Sequence, residues 1–75
     1  MVIWKMNSLD LHGVRHRDVS HKVDFFIRQN IDNLPIEIVT GNSIDMQSIV
    51  RKVVEMYDLE MSPKSFVNLG AYIIK

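Results

Sequence analysis

Twice along this chain a short aliphatic run meets a glycine and gives way to apolar residues spaced at helical period. The first run ends at Leu9-Asp10-Leu11, with Ile3, Trp4 and Met6 upstream, and stops at Gly13. The second, Ile36-Glu37-Ile38-Val39-Thr40, stops at Gly41. Short β-branched or alternating runs closed by glycine read as strands. After a loop over Val14 to Arg17, Val19, Val23, Phe26, Ile27 and Asn30/Ile31 recur at i, i+4, i+7 and i+8. That spacing predicts an amphipathic helix from about Asp18 to Ile31, with His21, Lys22, Asp24 and Arg28 on its outer face. Asp32-Asn33 and Pro35 end it. Asn42, Ser43 and Asp45 offer N-cap oxygens to a second helix from about Asp45 to Tyr57. Its inner stripe is Met46, Ile49, Val50, Val53, Val54 and Tyr57; Arg51, Lys52 and Glu55 lie outside. Ser62-Pro63 breaks the chain. The tail then reads as a hairpin, Ser65-Phe66-Val67 returning through Asn68-Leu69-Gly70 to Ala71-Tyr72-Ile73-Ile74.

The predicted order is β-α-β-α-β-β. A strand followed by a helix that crosses back implies a parallel neighbour and a right-handed connection. Two helices cover one sheet face, not two. The expected fold is an α/β (α+β) two-layer sandwich, a mixed four-stranded sheet with both helices on one face. It forms one domain over residues 1–75.

The chain must build this without cross-links. Its 75 residues include no cysteine, which excludes a disulfide framework and a thiolate zinc site. So small a domain lies near break-even in folding energy, so the core must suffice or an oligomer must help. At 47% hydrophobic and 24% charged it is globular in composition rather than disordered. Nine basic and nine acidic side chains cancel, excluding a uniformly basic nucleic-acid coat. The charge is nonetheless segregated: +2 over residues 1–30, −4 over 31–62 and +2 over 63–75. The acidic stretch of Glu55, Asp58 and Glu60 predicts a one-sided binding surface for any polyanion. Apolar stretches fall far short of the roughly 20 residues a membrane span needs. The N-terminus lacks the basic-then-apolar pattern of a signal peptide. A cytoplasmic protein without membrane contact or cofactor is expected.

In open α/β sheets, sites collect beyond the carboxyl ends of parallel strands. Positions 10–17 and 40–45 therefore converge on one rim, beside the starts of both helices. Helix starts carry unpaired N–H groups and partial positive charge. Gly41 allows close backbone approach to an anion, and Thr40, Asn42 and Ser43 add hydrogen-bonding groups. Arg15, His16 and Arg17 supply nearby positive or partly positive charge. The rim suits a phosphate, most economically that of a nucleic-acid backbone. Plainer roles compete. Asp10 with His12-Gly13 can structure a turn, Asn42 and Ser43 can cap a helix, and Arg15 to Arg17 can be a solvated loop. Trp4, Phe25 and Tyr72 are expected to be packing residues rather than base-stacking platforms. His12, His16 and His21 with Asp10 match no metal-binding spacing, so no metal site is expected.

Leu9-Asp10-Leu11-His12-Gly13 at a strand end before a helix, then an apolar strand ending in Thr40-Gly41, resembles the Smr (small MutS-related) domain. The tail Gly70-Ala71-Tyr72-Ile73-Ile74 resembles that family's closing strand, so the likeness spans essentially the whole chain. It implies the fold of the C-terminal domain of bacterial translation initiation factor three. It also implies nucleic-acid binding and, for many members, endonuclease activity on RNA or DNA. On that resemblance Asp10 and His12 are the catalytic candidates, and Gly13, Thr40 and Gly41 belong to the functional loops. Arg15, His16, Arg17, Asn42 and Ser43 complete the candidate phosphate contacts. The sequence departs from the family at its Gly-Lys-Gly loop, where Asn42 replaces the lysine and Ser43 the second glycine. Arg15 or Lys64 are the candidate substitutes for that charge. Two other outcomes are compatible with the residues. One is a catalytically inactive binding module. The other is an interaction domain or homodimer that pairs through sheet edges at Val2-Ile3-Trp4 and Tyr72-Ile73-Ile74.

Overall fold

The two glycine-terminated runs pair in parallel. In the computed structural model, which describes residues 6–65 and 70–75, β1 (Ser8–Asp10) lies beside β2 (Ile36–Val39) with Leu9 opposite Ile38. Helix α1 (His16–Asn30) connects them, and α2 (Ile44–Met56) leads on to β3 (Met61–Pro63) and β4 (Ala71–Ile74). The sheet order is β1-β2-β4-β3, with β4 antiparallel to both neighbours. The fold is thus a mixed four-stranded sheet with two helices packed on one face. Among the described residues no helix is long and apolar enough to cross a membrane.

Strand alternation explains the layering. Ile36 and Ile38 of β2, and Tyr72 and Ile74 of β4, turn to the helices and are buried. They meet Val19, Val23 and Ile27 of α1 and Met46, Val50, Val53 and Val54 of α2. Each such side chain contributes about 1.5–3 kcal/mol relative to exposure. Ser8, Asp10, Glu37 and Ile73 alternate onto the other face. Asn30, the polar residue ending the α1 stripe, is buried but satisfied: its amide donates to the Phe26 carbonyl (2.8 Å) and accepts from Asn7 (2.6 Å). It ties the last turn of α1 to the residue before β1.

Several expectations need correction. Helix α1 begins at His16, so His16 and Arg17 lie in its first turn rather than in a loop. Helix α2 spans Ile44–Met56, one residue earlier than its apolar stripe suggested. The third strand is Met61–Pro63, not Ser65 to Val67, of which Phe66 and Val67 lie outside the described residues. A proline fits there because Glu60 and Lys64 carry the backbone bonds to β4. Pro63, out of phase with them, turns its missing donor to the open edge. The Tyr72-Ile73-Ile74 segment is not a sheet edge, since β4 is paired on both sides. The edges are β1 and β3; Val2, Ile3 and Trp4 lie outside the described residues.

The end of α2 carries a local tension. The Leu59 N–H donates to the Val54 carbonyl (3.3 Å) and the Asp58 N–H to the Glu55 carbonyl (3.1 Å), the two bonds of a Schellman cap. Asp58 occupies its left-handed position, φ 55°, where glycine is the usual residue. Asp58→Gly is therefore expected to stabilise the fold by about 0.5–1 kcal/mol, read as a raised thermal midpoint.

Candidate functional site

The rim forms where parallel pairing brings the ends of β1 and β2 together. The Leu11 N–H donates to the Val39 carbonyl (2.9 Å), carrying the pairing one step past β1. The chain then turns: the Val14 N–H donates to the Leu11 carbonyl (3.1 Å), and Gly13 takes φ +76°. A turn of this kind needs positive φ at its third residue, which glycine supplies without strain.

Asp10 does two things at this turn. One carboxylate oxygen accepts the His12 backbone N–H at 2.9 Å, closing an Asx turn. The same oxygen lies 2.9 Å from His12 Nδ1. An ionised carboxylate only accepts, so the shared proton sits on Nδ1. The bond from the His12 backbone, then the bond from its ring, hold the Asp10 carboxyl below its ordinary value. The His12 side chain stays 75% exposed and that of Asp10 64%, so a ligand from solvent can reach both. The ring's other nitrogen, Nε2, faces the second loop: a Cβ built at Gly41 would lie 3.8 Å from it.

That second loop is held from behind. Gly70 offers its carbonyl to the N–H of Thr40 (2.7 Å) and of Gly41 (3.0 Å). The Thr40 hydroxyl is buried and lies within bonding distance of the Gly41 (2.9 Å) and Gly70 (3.3 Å) carbonyls. Gln47 of α2 donates to the Gly41 carbonyl (3.1 Å). Gly41 itself takes φ +66°. Ser43 caps α2 by accepting the Met46 N–H (3.1 Å), while Asn42 is exposed.

The expected rim residues therefore divide. Asp10, His12, Gly41 and Asn42 come together at the surface. Thr40 and Ser43 are committed inward and position the loop. Arg15 precedes α1 without capping it through its side chain, and with His16 and Arg17 it is exposed at that helix's start. Lys64 is not a substitute for the missing lysine: it pairs with Glu37 at 2.7 Å on the open sheet face. Sequence reasoning missed Gly70, Gln47 and the Glu37–Lys64 pair. Among the described residues no three His, Asp or Glu side chains converge to hold a metal ion.

Two further titrating groups tie the scaffold. The bonds from Lys64 and then Ser8 lower the Glu37 carboxyl, while the bond from the Tyr57 hydroxyl to Asp24 raises the Tyr57 phenol. The signs set the pH window. Asp10 and Glu37, with lowered folded values, stabilise above their unfolded values and lose this as pH falls through the folded ones. Tyr57, raised, stabilises below its unfolded value and loses this as pH rises through its folded value. The thermal midpoint is thus expected to fall below about pH 4 and again above about pH 10, measured by circular dichroism melts.

No protein-family model matches this chain, and neither the curated proteins nor the solved structures contain a match to it.

Proposed function

We propose that this chain is an Smr-like domain that binds nucleic acid at the rim and cleaves a phosphodiester there, with Asp10 and His12 as the reacting pair. The observation that carries the reading is the Asp10–His12 hydrogen bond, which fixes the ring with Nδ1 on the carboxylate and Nε2 turned toward Gly41. An imidazole oriented by a carboxylate is the arrangement of a general base. RNA is the favoured substrate because it brings its own nucleophile. Nε2 takes the proton of a 2′-hydroxyl, the 2′ oxygen attacks phosphorus, and the bond to the 5′ oxygen breaks. Water protonates that leaving oxygen, and a 2′,3′-cyclic phosphate remains. Arg15 or Arg17 offsets the charge that gathers on the phosphoryl oxygens.

The start of α1 supports an anion. Arg15, His16 and Arg17 crowd the positive end of the helix dipole, and Asp18 is the acidic residue of that turn. Cations there work against the helix by a few tenths of a kcal/mol. A local rule broken at a rim of this kind is what a binding function demands. Arg15→Glu should therefore move two properties in opposite directions. It stabilises the fold by about 0.5 kcal/mol, and it weakens RNA binding and flattens its dependence on salt. A variant that weakens binding without raising the thermal midpoint contradicts this account of the helix start.

One observation favours a binding module without chemistry. Ser43 is spent as a cap and Asn42 carries no charge, so the second loop lacks a fixed cation. The two readings separate when purified protein is incubated with end-labelled single-stranded RNA, and with supercoiled DNA, each with and without chelator. Cleavage supports the first. Salt-sensitive binding without cleavage supports the second. Neither binding nor cleavage by folded protein rejects both. Asn42→Lys restores a charge to the loop and should tighten binding under either reading.

A further inference from the structure

Phe25 is 53% exposed on α1, although the sequence alone suggested a packing residue. It lies two residues past the buried Val23, about 200° round the helix from it, so the core has no use for its ring. Instead it lines an open groove of about 400 Å³ between α1 and the edge strand β1, together with Leu9, Phe26, His21, Lys22 and Gln29. The floor is apolar and the rim is cationic or neutral. Leu9 turns to the helices while Asp10 turns to the other sheet face, so the groove is reached from the rim along α1, which starts there.

The sheet order decides which ligand the charge admits. Strands β1 and β3 are opposite edges, with α1 lining the groove at β1 and α2 lining the hollow at β3. Over residues 15–30 the chain carries Arg15, Arg17, Lys22 and Arg28 against Asp18 and Asp24. Asp24 is engaged, accepting the Tyr57 hydroxyl and pairing with Arg28 (3.3 Å), which occupies Arg28 as well; Asp18 lies in the first turn of α1, away from Phe25. Over residues 44–62 the balance reverses, with Asp45, Glu55, Asp58 and Glu60 against Arg51 and Lys52. A polyanion approaching the rim therefore meets net positive charge along α1 and net negative charge from α2 to β3, where Lys64 is held by Glu37.

We infer that the β1–α1 groove seats a base of the same single-stranded nucleic acid, stacked on Phe25 a few nucleotides from the phosphate at His12, with Lys22 and His21 on the adjoining backbone. This rests on the function proposed above and extends it. Phe25 begins about 13 Å along α1 from His16, at 1.5 Å per residue, so one strand can serve both places. An aromatic face beside cations is the recurrent way of holding single strands without reading sequence.

Fluorescence anisotropy of labelled oligouridine tests the inference with the full chain and its Phe25→Ala, Phe25→Leu, Phe25→Trp and Lys22→Gln variants. Circular dichroism should be unchanged, since the ring lies outside the core. Loss of stacking weakens single-strand binding roughly five- to hundredfold in Phe25→Ala and Phe25→Leu, while Phe25→Trp binds as wild type. Lys22→Gln weakens binding and lowers the salt slope by about one. Wild-type affinity in Phe25→Ala overturns the inference and leaves the rim untouched. Full binding by Phe25→Leu overturns it too, since an apolar contact without a ring then suffices. Self-association lost in Phe25→Ala, with RNA binding intact, overturns it in favour of a second copy in the groove. Absence of RNA binding by the wild type overturns the proposed function and this inference with it.

Discussion

Gly70→Ala lowers the midpoint of thermal unfolding by about 10 °C. A Cβ at Gly70 lies 3.0 Å from the carbonyl carbon, Cα and carbonyl oxygen of Gly41. These are backbone atoms and cannot swing aside as a side-chain tip does. The Gly70 carbonyl is also the acceptor that holds Thr40 and Gly41, so any retreat lengthens bonds at the base of the rim. Overpacking of this kind costs about 1–3 kcal/mol. In a domain of this size each kcal/mol moves the midpoint by roughly 4–8 °C. Melts followed by circular dichroism read the shift directly. Gly13→Ala is the informative comparison: no atom lies within 4 Å of its Cβ, so its cost comes from positive φ alone and should be smaller. Equal midpoints for wild type and Gly70→Ala contradict the close approach of the two glycines.

The second large effect falls on chemistry rather than stability. Under the function proposed above, His12→Ala is expected to reduce RNA cleavage by about 10²- to 10⁴-fold, the usual contribution of a positioned general base. Both side chains are well exposed, so the fold should survive. Asp10→Asn sharpens the test. An asparagine oxygen still accepts the His12 backbone N–H and keeps the Asx turn, but its charge is gone. Cleavage should fall while binding stays near wild type and the thermal midpoint drops only by the loss of the charged bond, less than in Asp10→Ala. Asp10→Ala removes the turn bond as well and should lower both cleavage and midpoint. Single-turnover rates on end-labelled RNA, beside anisotropy for binding, separate these outcomes. Cleavage by Asp10→Asn at the wild-type rate contradicts a role for the carboxylate in orienting the ring.

Where the sequence read correctly, the signal was local. The inner stripe of α1 was plain because Val19, Val23 and Ile27 repeat at helical period, and all three are buried. Leu9-Asp10-Leu11-His12-Gly13 announced a strand end and a turn, and the Asp10–His12 pair spans only two residues. Ser43 announced a cap, and it caps α2. Where the sequence misled, the cause was distant. Ser62-Pro63 looked like a break because proline weakens strands, yet these residues belong to β3, an edge strand, which has one side that needs no donor. Phe25 looked like a core residue by type, and only the placement of α1 against β1 leaves its ring in an open groove. Lys64 looked available until the sheet brought Glu37 across to it. Gly70 carried no motif for its role; a glycine just ahead of a strand was the one visible hint.

The sequence by itself therefore determined the order of elements, the parallel pairing of β1 with β2 and the convergence of their ends. Each follows from periodicity, turn chemistry and connection handedness, which act over a few residues or one crossover. The tertiary structure alone decided that β4 inserts between β2 and β3, leaving β1 and β3 as edges. It also decided that Gly70 backs the Gly41 turn and that α1 and α2 line hollows at opposite sheet edges. Those choices depend on which strand edge remains open once the helices have covered one face. That is a property of the whole packed layer, and no segment of the chain encodes it alone.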